Sequence, residues 1–147
     1  MSDVNRSVLV GHTPEQMFAL VDAVEEYPRF LPWCGGARVL HRDERKTRAE
    51  ILINYHGIRH SFTTENEKTA PREMLIRLVE GPFRRLDGTW RFNALGDHAC
   101  KIELRLHYEF SSRLLEKLVG PVFNHIANTL VEAFVRRAEQ VYGRETR

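Results

Sequence analysis

Cysteine is scarce in this chain, and the spacings that announce a metal or a disulfide are missing. The two cysteines, Cys34 and Cys100, stand far apart with no C-x-x-C pattern, so neither a disulfide framework nor a zinc site has support and reduced thiols are expected. Long apolar runs are lacking too. The opening MSDVNRS has no basic stretch followed by an apolar one, and no uninterrupted apolar run approaches a membrane span. The expectation is a soluble, cytoplasmic chain. Charge of one sign is also in short supply: 22 Lys and Arg against 20 Asp and Glu leave +2, too little to mark a nucleic-acid binder by composition, and no DNA partner is expected. No repeat, low-complexity tract or Gly/Ser/Pro linker divides the 147 residues, so residues 1–147 are read as one domain with one modest core.

Alternation and turn chemistry dominate what is present. Residues 3–10 read as a strand. Thr13-Pro14-Glu15-Gln16 then forms a capping-box signature ahead of Met17, Phe18, Leu20, Val21 and Val24, which predicts a helix ending near Glu25. Beyond Gly35-Gly36, strands are expected near 37–44, 47–56, 58–68, 72–80, 87–95 and 98–110, separated by turn residues such as His56-Gly57 and Asp87-Gly88. The last is the clearest. Cys100, Ile102, Leu104, Leu106, Tyr108 and Phe110 share one face, and Lys101, Glu103, Arg105, His107 and Glu109 share the other.

After Ser111-Ser112 the period becomes 3.6. Leu115, Val119, Phe123, Ile126, Leu130, Phe134, Ala138 and Val141 make an apolar stripe down a helix that ends at Gly143, with a kink expected at Gly120-Pro121. A sheet with one apolar face must bury it, and this helix is the only element long enough to do so. The fold class is therefore α+β: a curved antiparallel sheet wrapped on a long C-terminal helix, with an internal apolar cavity where the two part. This is the helix-grip arrangement.

The stretch YPRFLPWC, Tyr27 to Cys34, crowds aromatic and apolar side chains between two prolines. Pro28 and Pro32 push Tyr27 and Leu31 towards extended backbone and stiffen the segment. Two readings stand side by side. Tyr27, Phe30, Leu31 and Trp33 plug one end of the core, or they form a lid over the mouth of the cavity that swings at Gly35-Gly36.

This stretch resembles the signature of the coenzyme Q-binding proteins and ribosome association toxins, a branch of the START-like polyketide cyclase/dehydrase family. Gly81-Pro82-Phe83, Leu86-x-Gly88-x-Trp90-x-Phe92, Tyr108-Glu109-Phe110, Gly120-Pro121-Val122-Phe123, Ala133-Phe134-x-x-Arg137-Ala138 and Tyr142-Gly143 extend the likeness from about residue 3 to residue 143. The resemblance implies a helix-grip fold with a hydrophobic pocket and a role in binding ubiquinone in support of respiration. Near relatives are described instead as inhibitors of ribosomal subunit association.

Candidate pocket residues follow from register and from the stripe. Phe62 and Trp90 belong to the strands, and Phe123, Ala127 and Leu130 to the long helix. Tyr55, His60 and Tyr108 would add polar tips to an apolar wall, with His60 bonding a quinone carbonyl, or simply sit satisfied in the core or at the surface. His56 and His60 form an H-x-x-x-H pair, but on a strand four residues span about 13 Å, too far to share an ion. No metal site is expected. The chain lacks a nucleophile elbow, a P-loop and a dinucleotide fingerprint, so binding without catalysis is the reading, with ubiquinone as ligand and no required cofactor. Arg42, Arg45, Lys46 and Arg48 cluster on a predicted hairpin. They serve solubility and edge protection, or contact RNA of a ribosomal subunit, or meet anionic headgroups at the inner membrane.

Overall fold

The computed structural model describes residues 2–143. Strand β1 (Ser2–Val10) leads into helix α1 (Pro14–Asp22) and a 3-10 helix, Val24–Arg29; strands β2 (Cys34–Arg42), β3 (Lys46–Tyr55), β4 (Ile58–Thr69), β5 (Glu73–Glu80), β6 (Phe83–Leu95) and β7 (Ala99–Phe110) follow, and helix α2 (Arg113–Tyr142) closes the fold. All strands pair antiparallel in one curved sheet of order β1-β7-β6-β5-β4-β3-β2. This is the helix-grip arrangement.

Local chemistry sets the element ends. At α1, the Gln16 amide donates to Thr13 Oγ1 (3.1 Å) and the Thr13 amide to Gln16 Oε1 (2.9 Å), completing the capping box. At α2, Ser112 Oγ accepts from the Leu115 amide at 3.1 Å. The His56-Gly57 turn takes positive φ at both residues, 51° and 79°, as a two-residue hairpin demands.

On β7 the alternation gives the inward face: Cys100, Ile102, Leu104, Leu106, Tyr108 and Phe110 are all buried. Against it α2 lays Val119, Phe123, Ile126, Ala127, Val131, Phe134 and Ala138, while Val141 at the end of the expected stripe is exposed. By length and composition α2 would suffice to cross a membrane. Here one face of it is core. It is one element running through Pro121, which sits on the exposed side.

The structure corrects two readings of the segment after α1. The helix stops at Asp22, and Tyr27-Pro28 lies within the 3-10 helix rather than in extended backbone, since the fixed φ of proline falls within the 3-10 range. Gly35-Gly36 is not a hinge: both residues belong to β2, beside a bulge, and a Cβ on Gly35 would come within 2.7 Å of Asn54 Cβ. Gly35 permits close strand contact.

Gly88 serves close packing in the same way. A Cβ there would lie 2.5 Å from the Arg105 carbonyl oxygen and 2.7 Å from a Leu106 methyl. Gly88→Ala is expected to destabilise the protein by about 1–3 kcal/mol through overpacking, read as a lower urea midpoint at unchanged slope. An unaltered midpoint would show that the sheet yields freely at this position.

Candidate functional site

A cavity of about 80 Å³ lies between the sheet and α2, room for roughly three waters. Of the expected pocket residues, Tyr27, Trp33, Phe62, Trp90, Phe123, Ala127 and Leu130 line it. Its aromatic walls are braced from behind: Trp90 stacks on Phe92 at 6.0 Å and meets the edge of Phe134 at 5.5 Å, contacts that hold flat rings in fixed orientations.

The other expected residues stand elsewhere. Leu31 is buried outside the wall, and Phe30 packs edge-on against Tyr27 and Phe134 with the Arg137 guanidinium 4.9 Å over its ring. Tyr55 stacks on His125 at 6.0 Å near the surface, and His60 is half-buried on β4 opposite Ile53. Tyr108 is buried, with its hydroxyl donating to Asn124 Oδ1. The YPRFLPWC segment thus faces the cavity through Tyr27 and Trp33 and faces α2 through Phe30. Its backbone is tied down: the Cys34 amide donates to the Leu31 carbonyl at 3.0 Å, and the Asn54 amide to the Trp33 carbonyl at 2.8 Å.

Among the described residues, Tyr27 is the only titratable group on the wall. Its hydroxyl donates to the Val21 carbonyl. Burial, reinforced by the charge of Asp22, raises its pKa well above the ordinary tyrosine value, so it remains a neutral donor. Among the described residues, no three His, Cys, Asp or Glu side chains gather as a metal-ligand set.

Sequence reasoning missed the polar end of the wall. Thr64 and Asn66 of β4 line the cavity, both nearly buried at 5% and 8% exposure. Next along the same face, Lys68 donates to Asp22 Oδ2 at 3.1 Å, and Thr47 Oγ1 donates to Asp22 Oδ1 at 2.9 Å. Asp22 is thereby bound from two strands. The signal was available: Thr64 and Asn66 keep the parity of inward-facing Phe62.

The basic hairpin is largely neutralised from within. Arg42 grips both oxygens of Glu25 (2.9 and 2.8 Å), and its hydrogen bond holds the Glu25 carboxyl below the usual carboxylate range. Arg48 Nη2 lies 2.7 Å, and Lys46 Nζ 3.5 Å, from the Glu65 carboxylate. Of the four, Arg45 alone has no acidic partner among the described residues. Reversing Arg45 and Lys46 to glutamate is expected to cost under about 1 kcal/mol of stability, since exposed pairs contribute little, while weakening any association with ribosomal RNA or anionic lipid. Association that survives both the reversal and high salt would leave this face a solvated one.

Comparison with known proteins gives the same fold in other chains. The family model described as "Polyketide cyclase / dehydrase and lipid transport" matches residues 10–135. Over 143 residues the chain is 46% identical to the ribosome association toxin RatA of Vibrio cholerae, covering 97% of this chain and 99% of that protein. It is 26% identical over 147 residues to the mitochondrial coenzyme Q-binding protein COQ10 homolog B of Xenopus laevis, covering 97% of this chain and 60% of that one. The solved 18 kDa protein CC1736 of Caulobacter crescentus superposes with a TM-score of 0.72 at 32% identity, covering 97% and 99% of the two chains.

Proposed function

Because the chain belongs to the START-like polyketide cyclase/dehydrase and lipid transport family, we propose that it is a non-catalytic binding protein for an apolar ligand, an isoprenoid quinone such as ubiquinone. The observation that carries this reading is the character of the wall: fixed aromatic and aliphatic side chains with a few neutral polar tips. Acid–base turnover needs a positioned group that changes protonation near neutral pH. Among the described residues the only titratable side chain on the wall is a tyrosine held neutral. A flat ring bearing a hydrocarbon tail suits such a surface. In the described conformation the space is smaller than a whole prenylated quinone, so uptake requires the wall and the Tyr27–Cys34 segment to yield, and the tail to leave along the sheet or through the mouth. The protein would act in the cytoplasm and meet the inner membrane peripherally to collect its ligand, with no further cofactor.

A second reading has its own support. A relative aligned over nearly its full length carries a name for ribosome association, and among the described residues Arg45 on the β2–β3 hairpin has no acidic partner. Under that reading the chain binds a ribosomal subunit and blocks subunit joining. Mass spectrometry of small molecules extracted from purified protein, run beside co-sedimentation with ribosomal subunits, separates the two. Co-purifying isoprenoid quinone supports the carrier. Empty protein that pellets with a subunit overturns it in favour of the second reading.

A further inference from the structure

Asn66 carries a contradiction in elementary terms. Its side-chain oxygen is buried, on a residue only 8% exposed, and has no hydrogen-bond partner among the described residues. Buried acceptors are nearly always paired, because leaving water without gaining a partner is unfavourable. Nor do its neighbours compensate. On β3 the residue opposite is Thr47, whose hydroxyl is already given to Asp22; on β5 it is Ile76, which has nothing to give. Lys68, the next inward residue on β4, turns its ammonium to Asp22 and makes no bond to Asn66. The Asn66 carboxamide is therefore an unpaired polar group on the wall of an otherwise apolar cavity, and its partner must come from the cavity's contents.

We infer that Asn66 is the polar anchor of the site, hydrogen-bonding a ring oxygen of the bound headgroup and holding the oxidised and the reduced form alike. This rests on the quinone-binding reading above. The reasoning is donor–acceptor arithmetic. A quinone carbonyl only accepts, whereas a quinol hydroxyl can donate. A carboxamide presents N–H on one side and C=O on the other, and a half-turn about its last torsion exchanges them. The aromatic walls fix the plane of the ring; the amide fixes its rotation within that plane.

The test uses isothermal calorimetry with a short-tailed ubiquinone, its dithionite-reduced quinol, and decylbenzene, which has the ring and tail without the oxygens. Wild type should bind quinone and quinol within a few-fold of each other. Asn66→Leu removes the amide at similar volume; it should lower both quinone and quinol affinity about tenfold, the scale of one buried hydrogen bond, and leave decylbenzene unchanged or tighter. The unliganded variant should also melt higher, because an unpaired buried acceptor is gone. If Asn66→Leu does not fold, Asn66→Ala reads the same quantity as a tenfold fall in the ratio of quinone to decylbenzene affinity. Unchanged ratios in either variant, with wild type binding quinone, overturn the anchor and leave the carrier standing. Wild type that binds decylbenzene but neither quinone nor quinol overturns the anchor and the quinone reading together.

Discussion

Replacing Ala127 with tryptophan is expected to abolish ligand uptake while leaving the protein folded. Ala127 is 1% exposed and lines the cavity from α2, one turn from Phe123. An indole there has one direction available, into the space a ligand would occupy, so the substitution fills the cavity before it strains the helix. Some strain remains, at about 1–3 kcal/mol for overpacking. The loss of binding should be far larger, at least about a hundredfold, since no part of the ring can be accommodated beside the new side chain. Calorimetric titration with short-tailed ubiquinone, paired with circular dichroism, gives both numbers. Wild-type affinity in a folded Ala127→Trp protein would mean that the ligand site lies elsewhere.

Trp33→Ala should produce the largest loss of stability. Trp33 is 6% exposed, lines the cavity, and belongs to a backbone held by the bonds to Leu31 and Asn54. Truncating a buried aromatic residue leaves a void the tied backbone cannot collapse, at a cost of roughly 3–5 kcal/mol. For a domain of this size that is a fall in Tm on the order of 10 °C. In a Trp90→Phe background Trp33 is the only indole, and bound quinone should quench its emission. Release of quinone from the folded fraction should also accelerate, because the ring loses one wall. A large drop in Tm with neither quenching nor faster release would leave the segment a core plug alone.

The pattern of what was legible in the sequence has physical causes. The inward face of β7, the capped start of α1 and the α2 stripe were readable because side-chain parity and capping are local properties. Gly35-Gly36 misled because glycine marks both freedom and crowding, and only the approach of Asn54 distinguishes them. The hairpin arginines looked like an open basic patch because their partners are distant in sequence: Glu25 for Arg42, and Glu65 for Arg48 and Lys46. Asn66 was hidden in the polar run Thr63-Thr64-Glu65-Asn66-Glu67-Lys68, where composition reads as surface although parity puts every second residue inside.

The pairing of the first strand with the seventh imposes an order on manufacture. Ser2 lies opposite Tyr108 and Val10 opposite Cys100, so β1 leaves the ribosome with no neighbour and waits for β7, about 5–20 s at ordinary elongation speeds. The sheet's greasy face waits longer still, until the 30 residues of α2 have been made. A chain stopped before Arg113 would therefore be a sheet with its apolar face uncovered by α2, a substrate for chaperones and proteases rather than a weaker version of the finished protein. The cavity comes into being only once α2 has been translated, and a nascent chain cannot take on cargo before then.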